Sequence, residues 1–153
     1  SFKNIDLCFY CLGVYTGQVP EDEFIKITVD YPALFAKKLR EKNPSMRFIL
    51  LSGQGADPSE TSSLLFAKQK GRIENILLNL QFKAIHFFRP GYIYPVTPRE
   101  EPNLMYRLMR ILYKPISFIY PNIGLTSVQL AEKMFEVGVH GGDKIIFENK
   151  DIK

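Results

Sequence analysis

Apolar residues along the chain fall into two patterns, short unbroken runs and longer stretches in which they repeat at helical spacing. The unbroken runs predict buried strands at 5–12, 47–52 and 84–88, with a last edge strand at 144–147. The helical spacing predicts helices at about 27–43, 59–80 and 103–112, and one more opened by the Thr-x-x-Gln capping box at Thr126. Strands that alternate with helices predict an α/β fold, a Rossmann-like parallel sheet with helices on both faces.

Length and charge narrow the class of protein. The 153 residues suit a single domain, 1–153. The net charge is +4, but the basic residues are mixed with acidic ones along the chain and form no basic block. We therefore expect no nucleic-acid partner. The apolar runs are too short to cross a bilayer and the N-terminus has no secretory pattern, so we expect a cytoplasmic chain with no membrane partner. A protein partner or homo-oligomer stays open.

The two cysteines form a Cys-x-x-Cys pair, Cys8 and Cys11, inside the first predicted strand. Zinc would need further ligands, and His86 and His140 are distant in sequence, so no metal site is expected. Strand residues an odd number apart point to opposite faces of a sheet. We therefore predict two free cysteines that face apart and are buried in the core.

Three of the predicted strands end in residues that let a ligand approach the backbone. These are Gly13, Ser52–Gly53 and Pro90–Gly91. The carboxyl ends of parallel strands share one edge of the sheet, where ligands bind, so a small-molecule site is predicted there. Lys70 lies four residues after Phe66 on the following helix, in an apolar stripe. Its ammonium can extend into water or reach a polar partner in the cleft, and the pattern leaves both open.

Three motifs carry a resemblance to a known family. They are LLSGQGAD at 50–57, FAKQKGRIE at 66–74 and FRPG at 88–91. In this order and spacing they resemble the atypical short-chain dehydrogenase/reductase superfamily, and within it the NAD(P)-binding proteins related to the Tat-interacting oxidoreductase. The resemblance implies a Rossmann fold that binds NAD or NADP.

The family's catalysis uses a serine and a Tyr-x-x-x-Lys pair. The resemblance places Ser52 at the serine, with Gly53 as an alternative position, and Lys70 at the lysine. Phe66 occupies the tyrosine position. A phenylalanine has no hydroxyl to transfer a proton, so ordinary carbonyl reduction is expected to fail.

The resemblance also implies cofactor contacts from Gly13, Lys70, Pro90, Gly91 and Ile93. The family's glycine-rich dinucleotide fingerprint, however, does not occur in this sequence. The first predicted strand matches the family's fourth. We therefore expect the chain to be the C-terminal part of a Rossmann domain, lacking the N-terminal βα units, and its first strand to have an edge that needs cover.

Three functions remain open from the sequence. The first is an NAD(P)-binding, oxidoreductase-like protein with altered or lost catalysis, in which Tyr92 or Tyr94 could replace the missing hydroxyl. The second is a non-catalytic cofactor sensor or protein-interaction module on a Rossmann frame. The third is a structural unit with no ligand, if the chain is complete.

Overall fold

A computed structural model describes residues 2–97, 104–119 and 123–153. The strands are β1 (Leu7–Tyr10), β2 (Arg47–Leu51), β3 (Ala84–Arg89), β4 (Tyr92–Tyr94), β5 (Gly124–Thr126) and β6 (Ile146–Glu148). The helices are α1 (Glu21–Ile25), α2 (Tyr31–Lys42), α3 (Leu65–Asn79), α4 (Leu104–Ile119), α5 (Ser127–His140) and α6 (Asn149–Ile152), with π-helical turns at Lys26–Asp30 that join α1 to α2.

The main sheet has the order β1-β2-β3-β6, and every neighbouring pair is parallel. Helices cover both of its faces, which confirms the predicted α/β fold with a Rossmann-like parallel sheet. A second sheet pairs β4 with β5 in parallel. The sequence analysis missed it because three-residue strands are too short to show a periodicity.

Successive residues of the central strands pack into different cores. Phe48 and Leu50 of β2 enter the first core with helices α2 and α3, whereas Ile49 enters the second core with α5 and α6. Phe87 and Phe88 of β3 divide in the same way. Burial on both faces explains why these strands do not alternate between apolar and polar residues.

The first helical segment begins earlier than predicted, at Glu21 instead of about residue 27. Pro20 precedes it, and three acidic residues occupy the first turn, where carboxylates favour the positive end of the helix dipole. These polar residues were assigned to a loop because they interrupt the apolar spacing. The α1–α2 segment is therefore longer than its apolar stripe.

Helix α3 begins at Leu65, not at residue 59. The Asp57 carboxylate accepts hydrogen bonds from the backbone N–H groups of Ser59 and Ser62, at 3.0 and 2.8 Å. An aspartate that satisfies several N–H groups stabilises a turn in place of a helix. The predicted first turn of α3 is therefore a loop.

Gly71 lies in the middle of α3, where that loop crosses the helix. A Cβ at Gly71 would lie 1.7 Å from the Asp57 carbonyl oxygen. The Asp57 N–H also donates to the Ala67 carbonyl at 2.9 Å. The glycine is therefore required by a close backbone approach, although it weakens an isolated helix by roughly 1 kcal/mol.

Helix α4 runs to Ile119, beyond the predicted end at residue 112, and includes Pro115. Thr126 forms the predicted capping box with Gln129 at the start of α5. Among the helices that the structure describes, none is both long and apolar enough to span a membrane.

The prediction that both cysteines are buried is wrong for Cys11, which is exposed, while Cys8 is half-buried. Strand β1 ends at Tyr10, so Cys11 lies beyond the covered part of the sheet. The two do face apart, since Cys8 packs on the first core and Cys11 lines a groove with Phe9 on the other face.

Candidate functional site

A cleft with a volume of about 280 Å³ opens at the carboxyl ends of β1, β2 and β3. It is lined by Cys11, Leu12, Gly13, Val14, Tyr15, Leu51, Ser52, Gly53, Phe66, Lys70, Pro90, Gly91 and Ile93. All seven residues named as catalytic or cofactor-binding from the sequence are in this set. Residues from four separate segments therefore meet at one edge of the sheet, although their roles stay predictions.

Ser52 is held by a buried ionic network beneath the cleft. Its hydroxyl donates a hydrogen bond to Oε1 of Glu74, whose side chain is buried on α3. The same oxygen accepts from Arg89 Nε at 3.1 Å, and Arg89 Nη1 reaches Glu148 Oε1 at 3.1 Å. The Ser52 hydroxyl proton is thus directed at a protein carboxylate.

The sequence analysis missed this network. Glu74 was seen only as part of a family motif, and Arg89 as the end of a strand. The available signal was a carboxylate on the apolar face of α3 together with an arginine at the end of a buried strand, since buried charges occur in pairs. The hydrogen bonds to Glu74 and Glu148 raise the pKa of Arg89.

The ring of Phe66 rests against Gly53. A Cβ built on Gly53 would lie 2.4 Å from Phe66 Cζ. A serine at position 53 would therefore clash with the ring where it now lies. A tyrosine hydroxyl would be attached at Cζ, the ring atom nearest Gly53, so a tyrosine at position 66 needs the ring to turn.

Lys70 reaches a polar partner in the cleft, which settles the alternative left open by the sequence. Its Nζ donates to the Leu51 carbonyl at 3.3 Å. Burial lowers the pKa of Lys70 to about 8, although the charges of Glu74 and Cys11 favour the ammonium. At neutral pH the side chain remains a cation, and it becomes a proton donor of moderate strength.

The far wall of the cleft is built where β3 turns into β4. A Cβ at Gly91 would lie 2.7 Å from Gln54 Oε1 and 2.9 Å from the Ile123 carbonyl oxygen. The Gly91 N–H donates to Asn149 Oδ1 at 2.9 Å, and the Gln54 N–H to the Pro90 carbonyl at 3.0 Å. These contacts tie the ends of β2 and β3 together and leave no room for a side chain at position 91.

The loop after β1 contributes two residues that the sequence analysis did not assign to the cleft. Cys11 and Tyr15 line the cleft beside Gly13. A Cβ at Gly13 would meet no atom within 4 Å, so this wall is open. Tyr15 brings a hydroxyl-bearing side chain to the cleft, and its only signal in the sequence is its place just after a strand end.

Tyr92 and Tyr94, the suggested replacements for the missing hydroxyl, pack elsewhere. Both rings contact Tyr113 of α4, with ring centroids 5.6 and 4.9 Å apart. Neither belongs to the cleft lining, which at this strand includes only Ile93 between them. Alternation along β4 turns the two tyrosines away from the cleft, so the structure gives no support to the replacement hypothesis.

The chain is similar in sequence to a curated protein. No known protein-family model matches the chain. Rat (Rattus norvegicus) "Protein HTATIP2" is 34% identical over 93 residues, which are 61% of this chain and 37% of that protein. The resemblance to the Tat-interacting oxidoreductase-like proteins is confirmed. The chain spans little more than a third of that relative, so the match supports a shared framework and leaves whole-protein activity to proposal.

Proposed function

We propose that this chain forms the nicotinamide-side half of an NAD(P) site in an oxidoreductase-like protein, with catalysis by the usual serine, tyrosine and lysine altered or lost. The observation that carries the proposal is the convergence of Gly13, Ser52, Phe66, Lys70, Pro90, Gly91 and Ile93 on one cleft, in a chain similar to rat Protein HTATIP2.

The cleft residues fit one half of such a cofactor. Lys70 offers an ammonium that can donate to ribose hydroxyls, and Pro90, Gly91 and Ile93 offer a closely approachable, partly apolar wall for a carboxamide-bearing ring. When bound, a nicotinamide accepts or supplies a hydride. The pyrophosphate needs a glycine-rich turn at a helix N-terminus, which this sequence does not contain. The proposal therefore requires that other βα units supply it.

In the same cleft, the positions that the family uses for proton transfer do not offer the usual groups. Phe66 has no hydroxyl, Gly53 has no side chain, and the hydroxyl of Ser52 donates to Glu74. Lys70 can still bind a ribose without them. This combination supports a cofactor-binding protein in which catalysis is altered, and the second candidate, a non-catalytic cofactor sensor, rests on the same three residues.

A binding experiment tests the cofactor part of the proposal. Nicotinamide mononucleotide, which lacks the adenosine half, is titrated calorimetrically into the chain and into Lys70→Met and Lys68→Met variants. Lys68 is exposed on the same helix and provides the matched control. We expect Lys70→Met to weaken binding at least about tenfold, about 1.4 kcal/mol, with no change in the control. Equal affinities in all three proteins would contradict the assigned site.

A turnover experiment separates the altered enzyme from the sensor. With the required βα units present, the parent protein, Phe66→Tyr and the double variant Gly53→Ser/Phe66→Tyr are assayed with NADH and NADPH on a panel of aldehydes and ketones. The sensor predicts no turnover by the parent chain, whereas turnover that disappears in Tyr15→Phe shows that Tyr15 provides the hydroxyl. A serine at position 53 forces the ring of residue 66 out of its present position and adds a second hydroxyl to the cleft, so we expect the double variant to gain more activity than Phe66→Tyr alone.

A further inference from the structure

Helix α4 contacts the rest of the protein through Tyr113. Tyr113 is buried and stacks on Tyr94, with ring centroids 4.9 Å apart and planes 14° apart. It also contacts Tyr92 at 5.6 Å. The inward face of α4 is thus aromatic and centred on Tyr113.

The opposite side of α4 is apolar and exposed. Ile111 is 74% exposed, Phe118 is 90% exposed and Leu108 is 49% exposed. Residues 108, 111 and 118 follow the three- and seven-residue spacing that places side chains on one helix face, and Tyr113 lies about 200° around the axis from Ile111. A surface helix normally turns its apolar stripe inward. Here the apolar stripe points away from the protein.

The charge of α4 has one sign. Its sequence includes Arg107, Arg110 and Lys114, with no aspartate or glutamate. Arg107 is exposed and lies four residues before Ile111, so it borders the apolar stripe. A stripe of large apolar side chains beside cationic residues is the pattern of helices that lie at the surface of an anionic bilayer.

We propose that α4 docks this protein onto an anionic lipid surface, with Leu108, Ile111 and Phe118 entering the boundary of the acyl chains and Arg107 facing the lipid headgroups. At about 1.5 Å per residue, its 16 residues extend about 24 Å and lie in the plane of the membrane without crossing it. The short apolar runs of the sequence exclude a spanning helix but not this arrangement. A second copy of the chain fits less well, because two α4 helices would bring cations of the same sign together.

The test is co-sedimentation of the full chain with vesicles. One set contains phosphatidylcholine only and the other a mixture of phosphatidylcholine and phosphatidylserine. We expect binding to the anionic vesicles, weakened when salt rises from about 0.1 to about 0.5 M because the headgroup attraction is screened. Ile111→Glu and Phe118→Glu should each lower the bound fraction at least about tenfold.

Two controls keep the test decisive. Leu34→Glu changes a residue that is 60% exposed on α2, so it tests whether any lost apolar side chain has the same effect. Arg107→Gln should weaken binding to the anionic vesicles only. Circular dichroism shows that each variant is folded. Absence of binding by the parent chain, equal loss in Leu34→Glu, or a concentration-dependent dimer that Ile111→Glu dissolves would overturn the proposal, the last in favour of a second copy.

Discussion

The two faces of the main sheet differ in how completely they are covered. The first core, against α2 and α3, encloses Phe48, Phe87 and Leu39 with at most 1% exposure each. The second face, against α5, opens beside β1 into an apolar groove of about 330 Å³. Along that groove Phe135 is 63% exposed and Phe9 is 39% exposed.

The contrast arises from where α5 touches the sheet. A Cβ at Gly138 would lie 2.6 Å from Phe9 Cζ, so the C-terminal part of α5 packs directly on β1. The groove is lined by Ser127, Leu130 and Ala131 of the N-terminal part of the helix, together with Phe9. In the described residues β1 pairs only with β2, which leaves its outer strand edge without a partner. This is the strand edge that the sequence analysis expected to need cover.

The largest effect that separates the two faces is expected from removing a phenylalanine on each. Phe48 is fully buried and stacks on Phe82 with ring centroids 5.0 Å apart, so Phe48→Ala should lower the free energy of unfolding by about 3–5 kcal/mol. Phe135→Ala should change it by about 0.5 kcal/mol or less, because the ring is already largely in water. Guanidinium denaturation measures both. Similar losses would mean that the groove is covered in solution.

The next effect tests the network that links α3 on the closed face to β6 at the far edge. Glu74→Gln keeps an acceptor for the Ser52 hydroxyl but leaves Arg89 paired only with the half-exposed Glu148. Loss of a buried ionic partner should destabilise the protein by about 3 kcal/mol, measured by urea denaturation. Glu136→Gln, which removes an exposed pair with Lys133, is the control and should change stability by less than about 1 kcal/mol. Equal losses of stability in Glu74→Gln and Glu136→Gln would show that the buried network stabilises the protein no more than an exposed ion pair does.

The sequence predicted the closed face better than the open one. Unbroken apolar runs identify β2 and β3 because both faces of these strands are buried. The predicted burial of Cys11 was wrong because an unbroken apolar run does not show that β1 ends at Tyr10. The end of a strand depends on its pairing with a neighbouring strand, and this pairing joins residues far apart in the sequence.

The sequence predicted which residues line the cleft but not how these residues contact one another. Strand ends and the family resemblance located all seven of its named residues. They did not show that the Ser52 hydroxyl binds Glu74, or that Phe66 fills the space above Gly53. Both contacts depend on side-chain directions that spacing along a helix or strand does not determine.

A smaller effect concerns Lys70, at the boundary between the two faces. Its folded pKa of about 8 lies below the ordinary 10.5, so the native state disfavours the ammonium. The contribution of Lys70 to the free energy of unfolding should therefore rise as pH increases from about 8 to 10.5, where the unfolded chain holds the extra proton. Lys70→Met removes this rise, so the stability advantage of the Lys70→Met variant at pH 7 should shrink by about 2 kcal/mol at pH 10. Denaturation curves from pH 7 to 10 measure these free energies of unfolding, with Lys68→Met as the control. A difference in stability between the parent and Lys70→Met that does not vary with pH would contradict the prediction.

The smallest effect uses the two cysteines as reporters of the two faces. Burial raises the pKa of Cys8 to about 11, with the nearby Cys11 as the smaller cause. Partial removal of the Cys11 thiol from water also raises its pKa, and the charge of Lys70 opposes this shift. Cys11 is exposed at the cleft, so it should react with iodoacetamide at least about tenfold faster than Cys8, measured by mass spectrometry of the peptide that contains both. Cys11→Ser should remove the fast phase. Equal rates would mean that β1 detaches from the first core, because Cys8 becomes accessible only when that edge strand opens.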